Sequence, residues 1–428
     1  TDPSELTETD LTAAADLLER LYTQPGAMRN FAKGTVFLNA GYTTSADPHK
    51  QRIYADRVLR SWRADTPHLK ETNCAFCGQP AAYRATREEV PLLNGRDVFN
   101  FSPAGQAGIP ICAQCSLAIQ ALPLACLKSG GGLIAAHSSD PHLTLQLARR
   151  ALKRMLKSVT LSAEEKIPGL PYERTRLVEM LVEWLASMER LSMTGEGRPM
   201  PSLTGYFFSN NGTAPSIKVY WLESGVVGFL EQVYHNADLS LTAAWNRAVT
   251  RAWAASKNDP EVAEDDFRRN RLYEALLNLP QDARLVLKRY LLRTRHWGLV
   301  TLYLKEVMLM DETRIKLLKS LGERLAAYAA QKRAFFYAFS RTDEYAKWRR
   351  LLLRAADDHK RFQGQDLITF DEFVTAFTAP PGEINDWRLA RDLVTLALIE
   401  ARGGSDDEPL FEDEPLDDES EEPNHETV

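Results

Sequence analysis

The sequence predicts an α-rich α+β protein in two parts. The first is an irregular N-terminal domain with small β elements and a four-cysteine module, and the second is a C-terminal helical bundle. Three observations lead to this reading. Four of the five cysteines fall in two C-x-x-C pairs, the β-type patterns all lie before residue 239, and from there apolar residues recur at helical spacing with short connections. At 428 residues the chain exceeds the roughly 100 to 200 residues of one domain. The composition shift falls between 236 and 265, which gives domains 1–240 and 241–402 and an acidic tail, 403–428.

Taken in order, residues 10–22 read as a first helix, with Thr9 or Asp10 as N-cap and Leu11, Leu17, Leu18 and Leu21 as its apolar positions. Gln24-Pro25-Gly26 ends it. Residues 35–38 form a strand candidate that runs into the turn-type sequence Asn39-Ala40-Gly41-Tyr42. Residues 71–124 carry the paired cysteines with few regular periods. Helical patterns follow over 141–157 and 174–191, separated by Ile167-Pro168-Gly169-Leu170-Pro171. Tyr206-Phe207-Phe208 and residues 217–221 flank Ser209-Asn210-Asn211-Gly212-Thr213, which is a hairpin signal. In the second part, residues 344–361 place Tyr345, Trp348, Leu352 and Ala355 at steps of three and four, while Lys347, Arg350, Arg354 and Arg361 fall on another face.

The net charge of −6 hides two opposed regions. Residues 403–428 hold twelve Asp or Glu and no Lys or Arg, too acidic and too poor in apolar groups to offset the entropy of ordering, so a disordered tail is expected. The tail either covers a basic face of the same chain or aids solubility. Residues 268–361 hold 22 Lys or Arg against 10 Asp or Glu. Such a region is the footprint of a phosphate-binding surface, or else a set of solvated helix faces. No apolar run reaches the roughly 18 to 20 residues that span a bilayer, and the acidic, polar start lacks a secretory pattern. A cytoplasmic protein with no membrane partner is therefore expected.

Cys74-Ala75-Phe76-Cys77-Gly78 and Cys112-Ala113-Gln114-Cys115 carry the most specific signal. A C-x-x-C turn lets two sulfurs converge on one ion at about 2.3 Å, and two such turns complete tetrahedral thiolate coordination of zinc. This makes about 71–125 a zinc module with ligands Cys74, Cys77, Cys112 and Cys115; redox pairs and unliganded thiols are the alternatives. Four thiolates leave no open position for catalysis. Pro110 is separated from Cys112 by Ile111, and His68 is followed by Leu69-Lys70, so the H-x-E and P-C-x-x-C signature of zinc deaminases is missing. P-loop, G-x-S-x-G, H-E-x-x-H and G-x-G-x-x-G motifs are also missing, and a non-enzyme is expected.

Phe99-Asn100-Phe101-Ser102-Pro103-Ala104-Gly105, then Gly108-Ile109-Pro110-Ile111-Cys112-Ala113-Gln114-Cys115, then Leu117-Ala118 to Ala121-Leu122-Pro123, resemble the large subunit of type I CRISPR Cascade complexes, nearest the zinc-containing subtype I-B (Cst-type) group. Leu38-Asn39-Ala40-Gly41-Tyr42 and residues 206–220 are similar to further landmarks in the same order. The resemblance covers roughly the first 235 residues.

It implies a non-catalytic subunit that sits on crRNA beside the Cascade backbone and small subunits and recognises the protospacer-adjacent motif (PAM) in duplex DNA. It further implies that the helical bundle supports R-loop formation by binding the displaced strand. Base pairing would carry most specificity, and cleavage or integration would fall to a recruited helicase-nuclease or to transposition proteins. On this reading Asn39 and Tyr42, or Asn210, Asn211 and Thr213, approach the motif duplex; the alternative is two ordinary turns. Arg293, Arg295, Lys347, Arg350 and Arg354 would track the displaced strand, with Trp348 packing rather than stacking on bases. The competing function is a zinc-ribbon scaffold in another RNA-processing or transcription assembly.

Overall fold

A computed structural model describes residues 6–37, 40–63, 69, 72–93, 105–161, 167, 171–187, 201–210, 215–254, 269–378 and 387–403. The protein is α-rich, with an irregular N-terminal region bearing small strands and the four cysteines, followed by a long helical stretch. It divides into two compact units, Thr1–His235 with Ala252–Leu279, and Asn236–Arg251 with Pro280–Val428. Where the sequence suggested a single boundary near 240, the chain crosses between units three times. Among the described residues no helix is long and apolar enough to cross a membrane.

The first unit opens with α1 (Glu8–Thr23). Its N-cap is Thr7, two residues before the expected cap, because the Thr7 hydroxyl and the Asp10 carboxylate satisfy each other's backbone N–H in a capping box. Next come α2 (Ala27–Phe31) and a π-helical turn over Ala32–Val36. The strand expected over 35–38 is thus replaced through Val36 by helical backbone, which the Phe37 N–H closes onto the Ala32 carbonyl, burying Val36 and Phe37. Leu38 lies outside the described residues. A short helix α3 (Gly41–Thr44) leads to α4 (Pro48–Leu59). Arg60, just after α4 and 2% exposed, reaches Asp16 and Glu19 of α1 as well as Asp56. A guanidinium so buried is tolerated because several carboxylates surround it.

Strands β1 (Tyr83–Ala85) and β2 (Ile109–Ile111) pair antiparallel and lead to α5 (Ala113–Ala121). A four-stranded antiparallel sheet then forms in chain order from β3 (Leu127–Ser129), β4 (Gly132–Ser138), β5 (Leu203–Ser209) and β6 (Ser216–Leu222). The β5–β6 hairpin follows the sequence signal, with Leu203 opposite Leu222 and Ser209 opposite Ser216. Between β4 and β5 lie α6 (Pro141–Leu161) and α7 (Glu173–Ser187), with α8 (Ser224–His235) after β6. Beyond α9 (Leu239–Ala252) the chain returns as the two-residue strands β7 (Trp253–Ala254) and β8 (Arg269–Asn270), then α10 (Arg271–Leu276). Thr175 of α7 fastens this return, accepting from the Asn270 N–H and donating to Glu274.

The second unit contains α9, α11 (Ala283–Val286), α12 (Trp297–Glu306), α13 (Glu312–Gln331), α14 (Arg333–Arg341), α15 (Tyr345–Gln363), α16 (Phe370–Phe377) and α17 (Trp387–Arg402). Helices α13 and α17 pack along one another at Gly322, where a Cβ would lie 2.5 Å from the Ala397 Cβ and 2.6 Å from the Val394 carbonyl oxygen. An aromatic cluster joins α14, α15, α16 and α17. The Trp348 ring lies 4.7 Å from Phe377, 5.3 Å from Trp387 and 5.6 Å from Phe339, so Trp348 is a packing residue. Gly322→Ala should force these two helices apart and cost about 1 to 3 kcal/mol. Chemical denaturation should register this as an earlier unfolding transition.

Candidate metal centre

The first C-x-x-C pair sits in a tight turn whose two sides are held together. The Cys74 N–H donates to the Gln79 carbonyl at 2.7 Å, the Gly78 N–H to the Cys74 carbonyl at 3.0 Å, and Asn73 bridges to Pro80. Gly78 has φ +74°, a conformation that a side chain disfavours, so glycine after the second cysteine lets the turn fold back. The Phe76 N–H points at the Cys74 Sγ, 3.5 Å away.

The second pair opens α5. Cys112 is the N-cap, extended in backbone, with its Sγ accepting from the Cys115 N–H at 3.4 Å and its carbonyl from the Ser116 N–H. Both remaining pieces of geometry come from the β1–β2 ribbon, since Ala75 N–H donates to the Pro110 carbonyl and Ala82 N–H to the Ile111 carbonyl. The long 78–111 insertion therefore has one paired strand near its start and the other at its end, so the two turns meet although 34 residues separate them.

All four sulfurs lie within 4.8 Å of one another, and the Cys77 and Cys112 sulfurs are 3.5 Å apart. Tetrahedral coordination at about 2.3 Å puts sulfurs about 3.8 Å apart, so the cluster is the right size for one metal ion. None of the four is in a disulfide; Cys74 and Cys112 are buried and Cys77 is exposed. Burial raises the Cys74 thiol, but N–H donors from Cys112, Phe76 and Cys77 outweigh it and bring the group down to about 7. Burial pushes Cys112 up, partly offset by the Cys115 N–H it accepts from, and pushes Cys115 up with Cys77, Cys112 and Cys74 adding to the effect. An ion removes this conflict, because it binds the sulfurs as thiolates and neutralises their repulsion. Cys126, the fifth cysteine, is fully buried among apolar side chains, its thiol raised to about 12, and it packs in the core.

From this centre α5 runs into the core of the first unit. The Ser116 hydroxyl donates to the Val58 carbonyl of α4 at 2.7 Å and lies 2.8 Å from the Tyr83 hydroxyl. One turn on, Gln120 is completely buried. Its side-chain N–H donates to the Glu89 carbonyl at 2.6 Å, its side-chain oxygen accepts from the Tyr42 hydroxyl, and its carbonyl accepts from the Tyr22 hydroxyl at 2.6 Å. Tyr22 and Tyr42 stack at 5.2 Å, and burial raises both phenols, which keeps them neutral donors. Glu89 is held in turn by Arg57 at 2.6 Å and by the Thr86 N–H. Nothing in the sequence pattern marked Gln120 or Glu89, because a lone polar residue reveals its partners only once distant segments meet.

The residues that the sequence resemblance assigns to DNA fare differently. Tyr42 is buried in this network and Asn210 is 1% exposed, so neither presents its side chain to a duplex. Asn210 instead donates from its amide to the Val36 carbonyl at 2.8 Å and accepts from the Leu92 N–H, stapling the end of β5 to two other segments. This corrects the reading of both residues: their polar groups are spent inside the fold. Asn39, Asn211 and Thr213 lie outside the described residues. Arg293 lies in a 3-10 turn, Leu292–Thr294, and its carbonyl accepts from Arg251; Arg295 follows in a left-handed conformation, and both are partly buried. Lys347, Arg350 and Arg354 are exposed on α15, opposite buried Trp348, Leu352 and Ala355, as the periodicity suggested. Lys347 pairs with Glu344 at 2.7 Å, while Arg350 folds back onto the Ala346 carbonyl.

Elemental analysis of the purified protein should find about one metal ion per chain. Cys112→Ser, which removes a ligand as well as the α5 cap, should abolish it and lower thermal stability. Full retention of the ion in that variant would contradict a four-thiolate site. No family model matches the chain, and no curated protein matches it.

Proposed function

We propose that this chain is a non-catalytic, nucleic-acid-binding subunit of a cytoplasmic assembly, built around a structural zinc ion. The reading is carried by the closed four-cysteine cluster. Zinc accepts tetrahedral thiolate coordination without a ligand-field preference, and a site whose four positions are all cysteine holds structure rather than activating water. In this reading the zinc locks the two C-x-x-C turns, and its thiolates gain from the N-terminus of α5. The same closure argues against metal-assisted catalysis at this site.

The nucleic-acid part of the proposal is supported by α15. Its exposed Arg354 has no acidic partner among the described residues, and together with Lys347 and Arg350 it makes one cationic side on a helix whose other side is core. The sequence around Cys112 and Cys115 supports a narrower identity, the large subunit of a type I Cascade that recognises a PAM and supports R-loop formation. Its partners would be crRNA, target DNA and the backbone and small subunits. With Tyr42 and Asn210 committed to the core, this reading assigns no described residue to the motif bases.

Charge reversal at Lys347, Arg350 and Arg354 should weaken nucleic-acid binding at least tenfold and make its salt dependence shallower by about 2 to 3, with the melting temperature unchanged. Binding by the purified chain across a salt series measures this. Co-expression with the neighbouring genes adds the narrower test: recovery with a guide RNA and backbone subunits supports the Cascade reading, whereas recovery with transcription or RNA-processing proteins rejects it.

A further inference from the structure

The first unit carries a second cationic surface, on α6, that the charge bias of 268–361 conceals. Helix α6 spans 21 residues, Pro141–Leu161, and contains five Lys or Arg with no Asp or Glu. Leu143, Leu147, Ala151 and Met155 form its buried stripe, each at most 4% exposed. Two of the cations are engaged with α7: Arg154 lies 3.8 Å from Glu183, and Arg150 reaches the Ser187 hydroxyl. The other three, Arg149, Lys153 and Lys157, recur every fourth residue on the side away from the core. They are exposed and have no acidic partner among the described residues.

Such an arrangement is costly to leave bare. Like charges at i, i+4 repel by a few tenths of a kcal/mol per pair, and no acid on the helix relieves them. The C-terminal end of the helix dipole favours cations near Lys157, but that effect fades within a turn and does not reach Arg149. From Arg149 to Lys157 the helix rises about 12 Å. That is the axial length of about three to four phosphates of one B-form strand. A row of point charges with this spacing matches a linear polyanion better than a single compact anion.

A membrane surface fits less well. Interfacial helices bury their apolar face in lipid, and here that face is already in the core, leaving Leu145 as the exposed large apolar side chain of the helix among the described residues. We infer that Arg149, Lys153 and Lys157 of α6 form a second nucleic-acid-backbone surface, separate from α15 and reading charge rather than sequence. The inference rests on the proposed nucleic-acid-binding function and assigns part of it to the zinc-bearing unit.

The test is fluorescence anisotropy of the full-length protein with labelled duplex and single-stranded oligonucleotides of random sequence, across a salt series. The triple variant Arg149→Gln, Lys153→Gln, Lys157→Gln should lower the salt slope by about 2 to 3 and weaken binding at least tenfold at low salt, while Arg149→Lys, Lys153→Arg, Lys157→Arg keeps both near wild type. Equal melting temperatures would show that folding is not the cause. Wild-type binding with an unchanged slope in the Gln variant overturns the α6 surface and leaves the proposed function standing. No binding by the wild type overturns both. Loss of binding to phosphatidylserine vesicles, with oligonucleotide binding unaffected, also overturns it in favour of a lipid surface.

Discussion

Helix α5 is fixed at both ends, and the first unit depends on that. Its first turn supplies two of the four sulfurs, and its last turn buries Gln120 between Tyr22, Tyr42 and Glu89. A buried amide with each group satisfied stabilises and specifies a core, whereas the same amide displaced by an ångström leaves several polar groups unpaired. The position of Gln120 is therefore only as good as the anchoring of α5. The β1–β2 ribbon and the four-cysteine cluster provide that anchor at the other end of the helix.

This coupling gives the metal centre a meaning beyond local bracing. Small, irregular segments bury too little apolar surface to order themselves. The apolar cluster next to the sulfurs is correspondingly small, built on Ala85, Val90, Ile111 and the cysteines themselves. An ion that contributes ~10 to 16 kcal/mol of apparent binding energy in comparable sites is large against such a core. Through Ser116 and Gln120 the effect of a bound ion would extend to α1, α3 and α4, the elements that carry Tyr22, Tyr42 and Val58.

What was legible in the sequence followed from local rules. The C-x-x-C spacing named the four cysteines, strand alternation around an Asn-Gly turn gave the β5–β6 hairpin, and the three- and four-residue spacing of Trp348, Leu352 and Ala355 separated the two sides of α15. What was not legible depended on long-range partners. Asn210 and Tyr42 belong to turn-rich segments that read as exposed, yet their polar atoms find mates on segments up to 174 residues away. The π-helical turn at Ala32–Val36 hid behind a β-branched run, because burial of Val36 and Phe37 overrode propensity. The return of β7, β8 and α10 to the first unit escaped a boundary drawn from composition alone. The stripe on α6 was visible as residue types, but its isolation from acids emerged only from the packing of α7.

Two cationic helices and a closed thiolate centre divide the labour in the proposed reading: the metal shapes the protein, and the exposed arginines and lysines meet the polyanion. The claim beneath this is that the metal acts structurally through α5, and hydrogen exchange of metal-loaded and metal-stripped protein tests it most directly. The account predicts that stripping deprotects the two cysteine turns and α5, with the loss spreading to α1 and α4, while α13 and α17 of the second unit stay protected. Deprotection confined to the two turns, or exchange unchanged throughout, would contradict it.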